Sequence, residues 1–511
     1  MQQRTFLLFG ALCAMIVQSC TQSTAPTSNR YQPSQYPEQY QADWESLAEH
    51  PKVPEWFADS KLGIYFHWGL YSVPAYSSEW YSKWMHVPNP PKWGAGSYEH
   101  HKETYGDPSE FGYHDFIPMF KGEQFDPADW AKLFKQAGAK FAGPVAIHHD
   151  GFAMWHSAVN PWNVGDQAIQ RDVLGEMFEE LRKEDLKTLA TFHHAWTHQK
   201  YPEDTTLKGS FFPYNEDYFT STTDPELRKF YGNLPQEEYF QYWLNMTTEV
   251  VDKYSPDLTW FDSDLDQAPE LFRQSMVAHT FNAAHSRNQE IGIICKQEDL
   301  PANIRILDIE QGGLKEMPQD PWMTDITLSN KSWGYVQGQT YKELPLLIRN
   351  MIDVWSKKGI VLLNISPRSD GVINQEQRDL LKGLGAWMDH YGRAVYGTQN
   401  HEIYGYGDAA IHDGHFGGQA ATIKYSEQDV RFTRSKDGTS MFVFLLGQPE
   451  EGTPLEIRHL LDGQPGAEIH EVISLADGSA IEWSYDEVLR IQAPKATEMN
   501  EIATVFEVRL K

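Results

Sequence analysis

Eight short apolar segments, separated by longer segments of helical periodicity, constrain the fold of this chain more than any other feature. The apolar segments are nearly continuous and rich in β-branched residues, which is typical of strands buried on both faces of a parallel sheet. They span residues 62–68, 141–149, 187–194, 258–262, 291–296, 306–310, 322–328 and 359–366. Helical patterns lie between several of them, at 126–138, 171–185, 237–254, 269–285 and 341–358. This alternation predicts an α/β fold, a (β/α)8-like TIM barrel.

The pattern changes after a helical segment at residues 375–393. Beyond it, short alternating segments are separated by Asp-Gly turns, which is typical of an antiparallel β-sandwich. These segments span residues 419–425, 430–433, 441–446, 456–460 and 488–492. We therefore expect a catalytic barrel over residues 45–396 and a C-terminal β-sandwich over residues 397–511.

The N-terminus has the features of an export signal. Arg4 precedes an apolar run at residues 6–17, and the sequence VQSC, which ends at Cys20, resembles a bacterial lipoprotein cleavage box. We expect a lipoprotein signal peptide over residues 1–20 and a flexible Ser/Thr/Pro/Gln-rich tether over residues 21–44. The protein would then be exported, as a periplasmic or outer-membrane lipoprotein of a Gram-negative bacterium. The alternative is an ordinary signal peptide that is cleaved nearby.

The net charge limits the partners of the chain. With 43 Lys and Arg against 71 Asp and Glu, the formal charge is −28. This argues against nucleic acid or an anionic membrane surface as a main partner, so we expect contact with a membrane only through a lipid anchor on Cys20. It also mildly disfavours a polyanionic substrate, although a basic subsite could override it. The sequence leaves the oligomeric state open.

Cysteine usage excludes a disulfide framework. The chain has three cysteines, of which Cys13 and Cys20 belong to the predicted signal. Because Cys295 is then alone, the mature chain has no intramolecular disulfide and must be held by its core, which a chain of this length permits.

Polar and ionisable side chains stand at the ends of most of the predicted strands. In a (β/α)8 barrel the carboxyl ends of the strands meet at the face that carries the active site. The residues at these ends are His67, His148, His149, His193, His194, Asp262, Lys296, Glu310 and Asn364. So many of them at one end are difficult to explain as packing, and they predict a site at this face.

Two of these residues are suited to glycoside hydrolysis. Asp262 follows the apolar strand LTWF and is a candidate nucleophile, with a turn-capping carboxylate as the alternative. Glu310 is the candidate acid/base, and Glu316 and Asp308 are nearby rivals. A retaining enzyme holds two such carboxyl groups about 5–5.5 Å apart, so that one attacks the anomeric carbon while the other protonates the leaving oxygen.

The histidines leave two interpretations open. As neutral donors and acceptors they suit sugar hydroxyls, but His67, His193 and His194 with the pair at 148–149 could also form a zinc or di-metal hydrolase site. The HExxH and HxxEH zinc motifs are absent from the sequence. The nearby aromatic residues can stack on the apolar face of a sugar; they are Trp68, Trp80, Trp155, Trp260 and Trp333.

Taken together, these segments resemble glycoside hydrolase family 29, the retaining α-L-fucosidases. The matching segments cover residues 45–395 in the order in which the family has them. They are WF at 56–57, KLGIYFHWG at 61–69, SEWY at 78–81, HHDGF at 148–152, Trp155, WFD at 260–262, SWGY at 332–335 and LLNISPRSDG at 362–371. The family's barrel and C-terminal β-sandwich agree with the architecture predicted above.

The resemblance implies roles for individual residues. Asp262 would be the nucleophile, and the acid/base position, which is poorly fixed in this family, would be Glu310, with Glu316 as the second choice. Lys296 falls where the family often has Arg, and it can supply the charge but not the planar two-pronged contact. The residues that would bind the fucose are His67, Glu79, Trp80, His148, His149, His193, Trp260, Lys296 and Trp333.

We therefore expect an exo-acting, retaining α-L-fucosidase that acts on a fucosylated glycan and needs no metal or cofactor. The alternatives are a metal-dependent hydrolase on the same barrel, a non-catalytic lipoprotein that binds fucosylated glycans, and an enzyme for a related sugar such as one of α-galactose-like configuration. The loops at residues 86–125 and 196–236 are candidates for setting the leaving-group preference. The sequence leaves open the linkage and whether the glycan is sulfated.

Overall fold

The barrel is formed by eight of the strands in the described part of the chain. The computed structural model describes residues 31–199, 210–409, 414–415 and 423–511, so the predicted signal peptide and Cys20 lie outside the described residues. The barrel strands are Leu62–Phe66 (β1), Phe141–Ile147 (β2), Lys187–Phe192 (β3), Leu258–Phe261 (β4), Gly292–Lys296 (β5), Ile306–Asp308 (β6), Trp322–Thr327 (β8) and Gly359–Ile365 (β9). A two-residue strand, Gly312–Gly313 (β7), lies outside the barrel.

All barrel neighbours pair in parallel, and β9 closes the barrel by pairing with β1. The predicted fold class is therefore confirmed. Most observed strands end one or two residues before the predicted ends, at the points where the loops begin. Large side chains of the strands fill the barrel interior; they include Tyr65, Phe141, Leu189, Trp260, Met323 and Leu362.

Helices surround the barrel, and the predicted helical segments are all helical in the structure. The helices of the described residues are Trp44–Leu47 (α1), Glu55–Ser60 (α2), Tyr81–Trp84 (α3), Ser97–Thr104 (α4), Pro127–Gln136 (α5), Val164–Gln167 (α6), Val173–Lys183 (α7), Pro225–Phe230 (α8), Gln236–Tyr254 (α9), Glu270–Ser286 (α10), Leu344–Ser356 (α11) and Gln375–Tyr391 (α12). Asp126 caps α5 by accepting from Asp129 N, and Pro127 occupies the first turn. Among the described residues, no helix is both long and apolar enough to cross a membrane.

The N-terminal segment that the structure describes lies against the barrel. Tyr31 and Tyr36 donate to the Asp252 carboxylate at 2.5 and 2.8 Å. The backbone nitrogens of Gln39 and Tyr40 both donate to Asn282 Oδ1 at 2.9 Å. The flexibility predicted for residues 21–44 therefore does not describe residues 31–40, because their polar groups have fixed partners on α9 and α10.

Two antiparallel sheets form the C-terminal domain. Their strands are Thr398–Tyr406 (β10), Val430–Ser435 (β12), Ser440–Leu445 (β13), Pro454–Ile457 (β14), Ile469–Ser474 (β15), Trp483–Tyr485 (β16), Leu489–Gln492 (β17) and Thr504–Leu510 (β18). A two-residue strand, Gly414–His415 (β11), pairs with β7 instead. One sheet has the order β10-β12-β13-β18-β15 and the other β14-β17-β16, with an apolar core that contains residues of both. The strand predicted at 419–425 falls mostly outside the described residues, and its described end is not in a strand.

Helix α11 of the barrel packs against β12 of the C-terminal domain through buried charged side chains. Asp353 on α11 accepts from Arg431 Nε of β12 at 2.6 Å and from Lys357 Nζ at 2.8 Å. All three side chains are at most 5% exposed. Because buried charges are tolerated only when they are paired and hydrogen-bonded, this cluster fixes how α11 and β12 pack.

Candidate active site

The polar residues that follow the barrel strands converge at the carboxyl-terminal face. The Asp262 N–H donates to Phe192 O, so the backbone of β4 keeps its pairing with β3 up to the candidate nucleophile. His67 N and His193 N extend the ladder in the same way, by donating to Ile365 O and Ile147 O. Each polar side chain is thus positioned by a strand that is fixed within the barrel.

Asp262 is held by three nitrogen groups. Lys296 Nζ lies 2.9 Å from its Oδ1, and His149 Nε2 and His193 Nδ1 each lie 3.0 Å from its Oδ2. The Asp262 side chain is 13% exposed, so one side of the carboxylate still faces the opening. The three contacts orient the carboxylate and leave it accessible to a substrate.

The charge of Asp262 is stabilised by these neighbours. Burial alone would raise the pKa of the Asp262 carboxyl, but Lys296 and then the two histidines outweigh it and hold the pKa well below its ordinary value. Burial would likewise lower the pKa of Lys296, but Asp262, Asp325 and Glu310 raise it well above its ordinary value. The site therefore holds an ionised carboxylate against an ionised ammonium, as a nucleophile requires.

Glu310 shares Lys296 with Asp262. Lys296 Nζ lies 3.0 Å from Glu310 Oε2, and the Glu310 side chain is 32% exposed. Since both carboxylates touch one nitrogen, their contacting oxygens are at most about 6 Å apart, close to the 5–5.5 Å of retaining glycosidases. Glu316, the second choice, is exposed, and its carboxylate acts on Lys357 and Tyr404 at the junction with the C-terminal sheets, where it contributes to raising the pKa of each.

A buried pair of acids lies beneath Lys296. Asp325 Oδ2 accepts from Tyr65 OH at 2.9 Å and lies 3.4 Å from Lys296 Nζ, while Asp308 Oδ2 accepts from Trp260 Nε1 at 3.2 Å. Burial and the mutual repulsion of the two acids raise the pKa of Asp308 well above its ordinary value, and burial raises that of Asp325. Their Oδ1 atoms have no hydrogen-bond partner among the described residues.

The remaining histidines are neutral groups that line the pocket. His67 Nδ1 contacts Asn364 Oδ1 at 2.8 Å, and the His148 ring lies 5.6 Å from the His67 ring. Burial lowers the pKa of both well below the ordinary value and lowers that of His193 to about 4. The His148 and His149 Nδ1 atoms are buried and have no hydrogen-bond partner among the described residues.

The HHDG turn fixes the direction of the two adjacent histidines. Asp150 accepts from Tyr113 OH at 2.8 Å and from Phe152 N at 3.1 Å, and burial raises its pKa to about 6. Gly151 has a φ of +76°, and a Cβ there would lie 2.8 Å from Phe230 O. The turn therefore requires glycine, for both conformation and space.

Aromatic rings and a buried glutamate complete the walls. The Trp260 and Trp333 rings lie 4.9 and 5.7 Å from Lys296 Nζ, and the Trp80 ring lies 5.6 Å from the His149 ring. Glu79 accepts from Ser332 Oγ at 2.7 Å and from Trp333 N at 3.0 Å. These hydrogen bonds tie Glu79 to the loop that carries Trp333. Burial raises the pKa of Glu79, although the hydrogen bonds act in the opposite direction.

The donor atoms also permit a metal interpretation. Two overlapping groups bring ligand atoms within 4.8 Å of one another, one of His67, His148 and His193 and the other of His149, His193 and Asp262. Both groups need His193, and the Lys296 ammonium already sits 2.9 Å from the carboxylate of the second group. The contacts of Asp262 with Lys296, His149 and His193 are therefore better explained by an ionised, hydrogen-bonded carboxylate than by a metal ligand.

Most of the predicted site residues meet at one place. Lys296 contacts both Asp262 and Glu310. The predicted residues around these three are His67, His148, His149, His193, Trp260 and Trp333, and Glu79 and Trp80 lie at the edge. Sequence reasoning missed Asp325 and Tyr65 and treated Asp308 only as a rival acid. An acid in the middle of the apolar strand WMTDITL was the available signal, because a strand of a closed barrel has no solvent-exposed face.

Comparisons with known proteins agree with this arrangement. A model of the alpha-L-fucosidase family matches residues 28–393. The tissue alpha-L-fucosidase of Rattus norvegicus is 30% identical over 386 residues, which cover 71% of this chain and 74% of the relative. The crystal structure of Thermotoga maritima alpha-fucosidase in complex with a mechanism-based inhibitor is 28% identical, with a TM-score of 0.71, and covers 92% of this chain and 100% of its own. The complex of that enzyme with fucose has a TM-score of 0.70 and the same identity and coverage.

The family match covers the whole barrel, including the strand ends that carry the polar site, and the similar structures extend into the C-terminal domain. The chain therefore belongs to the alpha-L-fucosidase family, glycoside hydrolase family 29.

Proposed function

We propose that this protein is an exo-acting, retaining α-L-fucosidase that removes terminal α-L-fucose from glycans. The observation that carries the proposal is that the Asp262 and Glu310 carboxylates face each other across the single Lys296 ammonium. The site lies deep at the end of the barrel, where the four histidines are 2–4% exposed. A pocket of this depth accepts the end of a glycan rather than its middle.

In the first step, an oxygen of the Asp262 carboxylate attacks the anomeric carbon of fucose. The bond from that carbon to the leaving oxygen breaks, and the leaving oxygen takes a proton from the Glu310 carboxyl. The products of the step are a fucosyl ester of Asp262 and an ionised Glu310. The ester has the β configuration, since the attack inverts the anomeric centre.

In the second step, Glu310 removes a proton from water as the water attacks the anomeric carbon and the ester bond breaks. Two inversions give fucose of retained configuration. Negative charge thus moves from Asp262 to Glu310 in the first step and back in the second. Because Lys296 lies about 3 Å from both carboxylates, it can stabilise the charge in either place with little rearrangement.

The first test is the hydrolysis of an aryl α-L-fucoside by the wild type and by Asp262→Ala, with a chelator present throughout. We expect wild-type turnover in chelator and a loss of at least about a thousandfold in the variant, because the nucleophile is removed. Unchanged turnover in Asp262→Ala would overturn the proposal.

The same assay separates the proposal from two of the alternatives. A metal-dependent hydrolase, which the clustered His67, His148 and His193 atoms favour, would lose its activity in chelator and regain it with zinc. A non-catalytic glycan-binding protein would show no turnover, while fucose would still raise its melting temperature.

We also propose that the protein is exported and anchored by a lipid on Cys20. The support is the sequence alone, with Arg4, the apolar run at 6–17 and the VQSC motif. Labelling of the expressed protein with a fatty-acid analogue tests this, with Cys20→Ser as the control. Label in the wild type but not in the variant is expected, and equal labelling would contradict the proposal.

A further inference from the structure

A cavity next to the catalytic pair is the place for the leaving group. It has a volume of about 470 Å³ and is lined by Glu310, Glu79, Trp80 and Trp333 of the site, together with Tyr76, Ser77, Ser78, Lys92, Ala95 and Lys331. Glu310 must reach the leaving oxygen, and fucose must sit against Asp262 in the pocket that the histidines line. The part of the substrate beyond that oxygen therefore enters this cavity.

Two lysines bring positive charge to the cavity. Lys92 precedes α4 and Lys331 follows β8, so they come from separate loops, and both are exposed. Neither has an ion pair among the described residues. Their positive charge contrasts with the chain as a whole, which has a net charge of −28.

The acidic side chains of the cavity already have partners within the protein. Glu79 is buried and accepts hydrogen bonds from Ser332 and Trp333, and Glu310 is paired with Lys296. The lysines are thus the uncompensated charges that the lining presents to a ligand. An anionic group in the cavity would gain from both, and a cationic group would be repelled.

Resting on the proposed function, we propose that Lys92 and Lys331 form an anion-binding subsite for the leaving group. The preferred substrate then carries an anionic substituent, a carboxylate or a sulfate ester, on the sugar to which fucose is attached. Tyr76 and Trp80 supply aromatic surface for the body of that sugar. The net charge of the chain mildly disfavours an anionic substrate, but the two lysines would favour one at this cavity.

The test uses two matched pairs of aryl α-L-fucosides, so that charge changes with little change in shape. One pair has 3-carboxyphenyl and 3-carbamoylphenyl leaving groups, and the other has 3-sulfophenyl and 3-sulfamoylphenyl. At low ionic strength we expect kcat/KM to be about five- to tenfold higher for the charged member of at least one pair. This is the size of effect expected from two solvent-exposed ion pairs between the lysines and the anion. The pair with the larger ratio identifies the class of anion.

The ratio should fall towards one in 0.5 M NaCl, because salt screens exposed charges. Lys92→Met and Lys331→Met should each lower it about two- to threefold, and the double variant should remove it. Lys132→Met, on the exposed side of α5, is the control and should keep the wild-type ratio.

A wild-type ratio of one or less for both pairs would overturn the subsite, as would a ratio that the lysine variants leave unchanged. If no fucoside is hydrolysed, the proposed function fails separately. Calorimetry with Asp262→Ala and the same four compounds then gives the charge preference as a ratio of binding constants.

Discussion

At the scale of single residues, Lys296 organises the chemistry. Its ammonium contacts Asp262 and Glu310 at 2.9 and 3.0 Å and Asp325 at 3.4 Å, and it lies 4.9 Å from the Trp260 ring. Lysine at this position presents a point charge, which can face three carboxylates at once, whereas a planar guanidinium favours two-pronged contact with one. This geometry explains how a Lys can serve where the family often has Arg.

The assignment of Glu310 as acid/base can be tested by chemical rescue. Glu310→Ala should lower the turnover of an aryl fucoside with a good leaving group by about a hundredfold or more, because the second step lacks its base. Sodium azide should restore the rate and give α-L-fucosyl azide, detected by NMR. Glu316→Ala is the matched control and should behave as the wild type. Rescue of Glu316→Ala instead would show that the wrong glutamate is assigned.

The raised pKa values of Asp308 and Asp325 make a second prediction. Because Asp325 is the acid that faces Lys296, we expect Asp308 to be the neutral member of the pair, so Asp308→Asn, which keeps its shape, should keep kcat/KM within about threefold. Asp325→Asn removes the carboxylate that faces Lys296 and Tyr65, so a loss of tenfold or more is expected. Steady-state kinetics across pH measures both. A larger loss in Asp308→Asn than in Asp325→Asn would contradict the assignment.

At the scale of elements, the alternation of apolar and amphipathic segments was enough to predict the barrel. Eight buried strands admit few arrangements, and the polar residues at their ends mark the face where the site forms. The same pattern predicted that Asp262 and the histidines lie close together, because residues in the same position on neighbouring strands meet in space, whereas the role of Asp262 as nucleophile came from the family resemblance.

The parts that were not predicted depend on contacts between distant segments. Asp325 and Asp308 come together only because β6 and β8 are neighbours in the barrel, which no local periodicity reveals. The fixed N-terminal residues are a similar case, since Tyr31 and Asp252 are 221 residues apart. A segment rich in Ser, Pro and Gln has the composition of a tether, and its ordering depends on partners elsewhere in the chain.

The junction between α11 and β12 allows a prediction at the same scale. Asp353→Ala should lower the free energy of unfolding by about 3–5 kcal/mol, because it leaves the buried Arg431 and Lys357 without their shared partner. Urea unfolding followed by tryptophan fluorescence measures this. Glu179→Gln, which breaks an exposed pair with Lys183 on α7, is the control and should have a far smaller effect. Equal effects of the two changes would contradict the role of the cluster.

At the scale of the whole molecule, buried histidines determine the response to acid. Ten described histidines have a pKa below the ordinary 6.5, with burial as the main cause. Between pH 6.5 and about 4 the unfolded chain therefore binds protons that the folded chain does not. Five carboxyl groups have raised pKa values, so at these groups the folded chain binds protons that the unfolded chain does not. This offsets part of the effect of the histidines on stability.

The free energy of unfolding should therefore fall as the pH drops from 6.5 towards 4. His194, whose pKa is lowered to about 3 by burial, accounts for about 1.4 kcal/mol per pH unit in this range. His194→Gln should flatten the slope by that amount, and the exposed His156→Gln should not. Chemical unfolding at several pH values measures the slopes. A slope that is the same in all three proteins would contradict this account.

The central claim is that the barrel transfers fucose to Asp262 before it transfers it to water. A 2-deoxy-2-fluoro-L-fucosyl fluoride slows the breakdown of such an ester more than its formation, so the intermediate accumulates. Digestion and mass spectrometry of the treated wild type then locate the adduct. We predict one fluorofucosyl group, on the Asp262 carboxylate, and none in Asp262→Ala. An adduct on another residue, or turnover with inverted configuration and no adduct, would contradict the account.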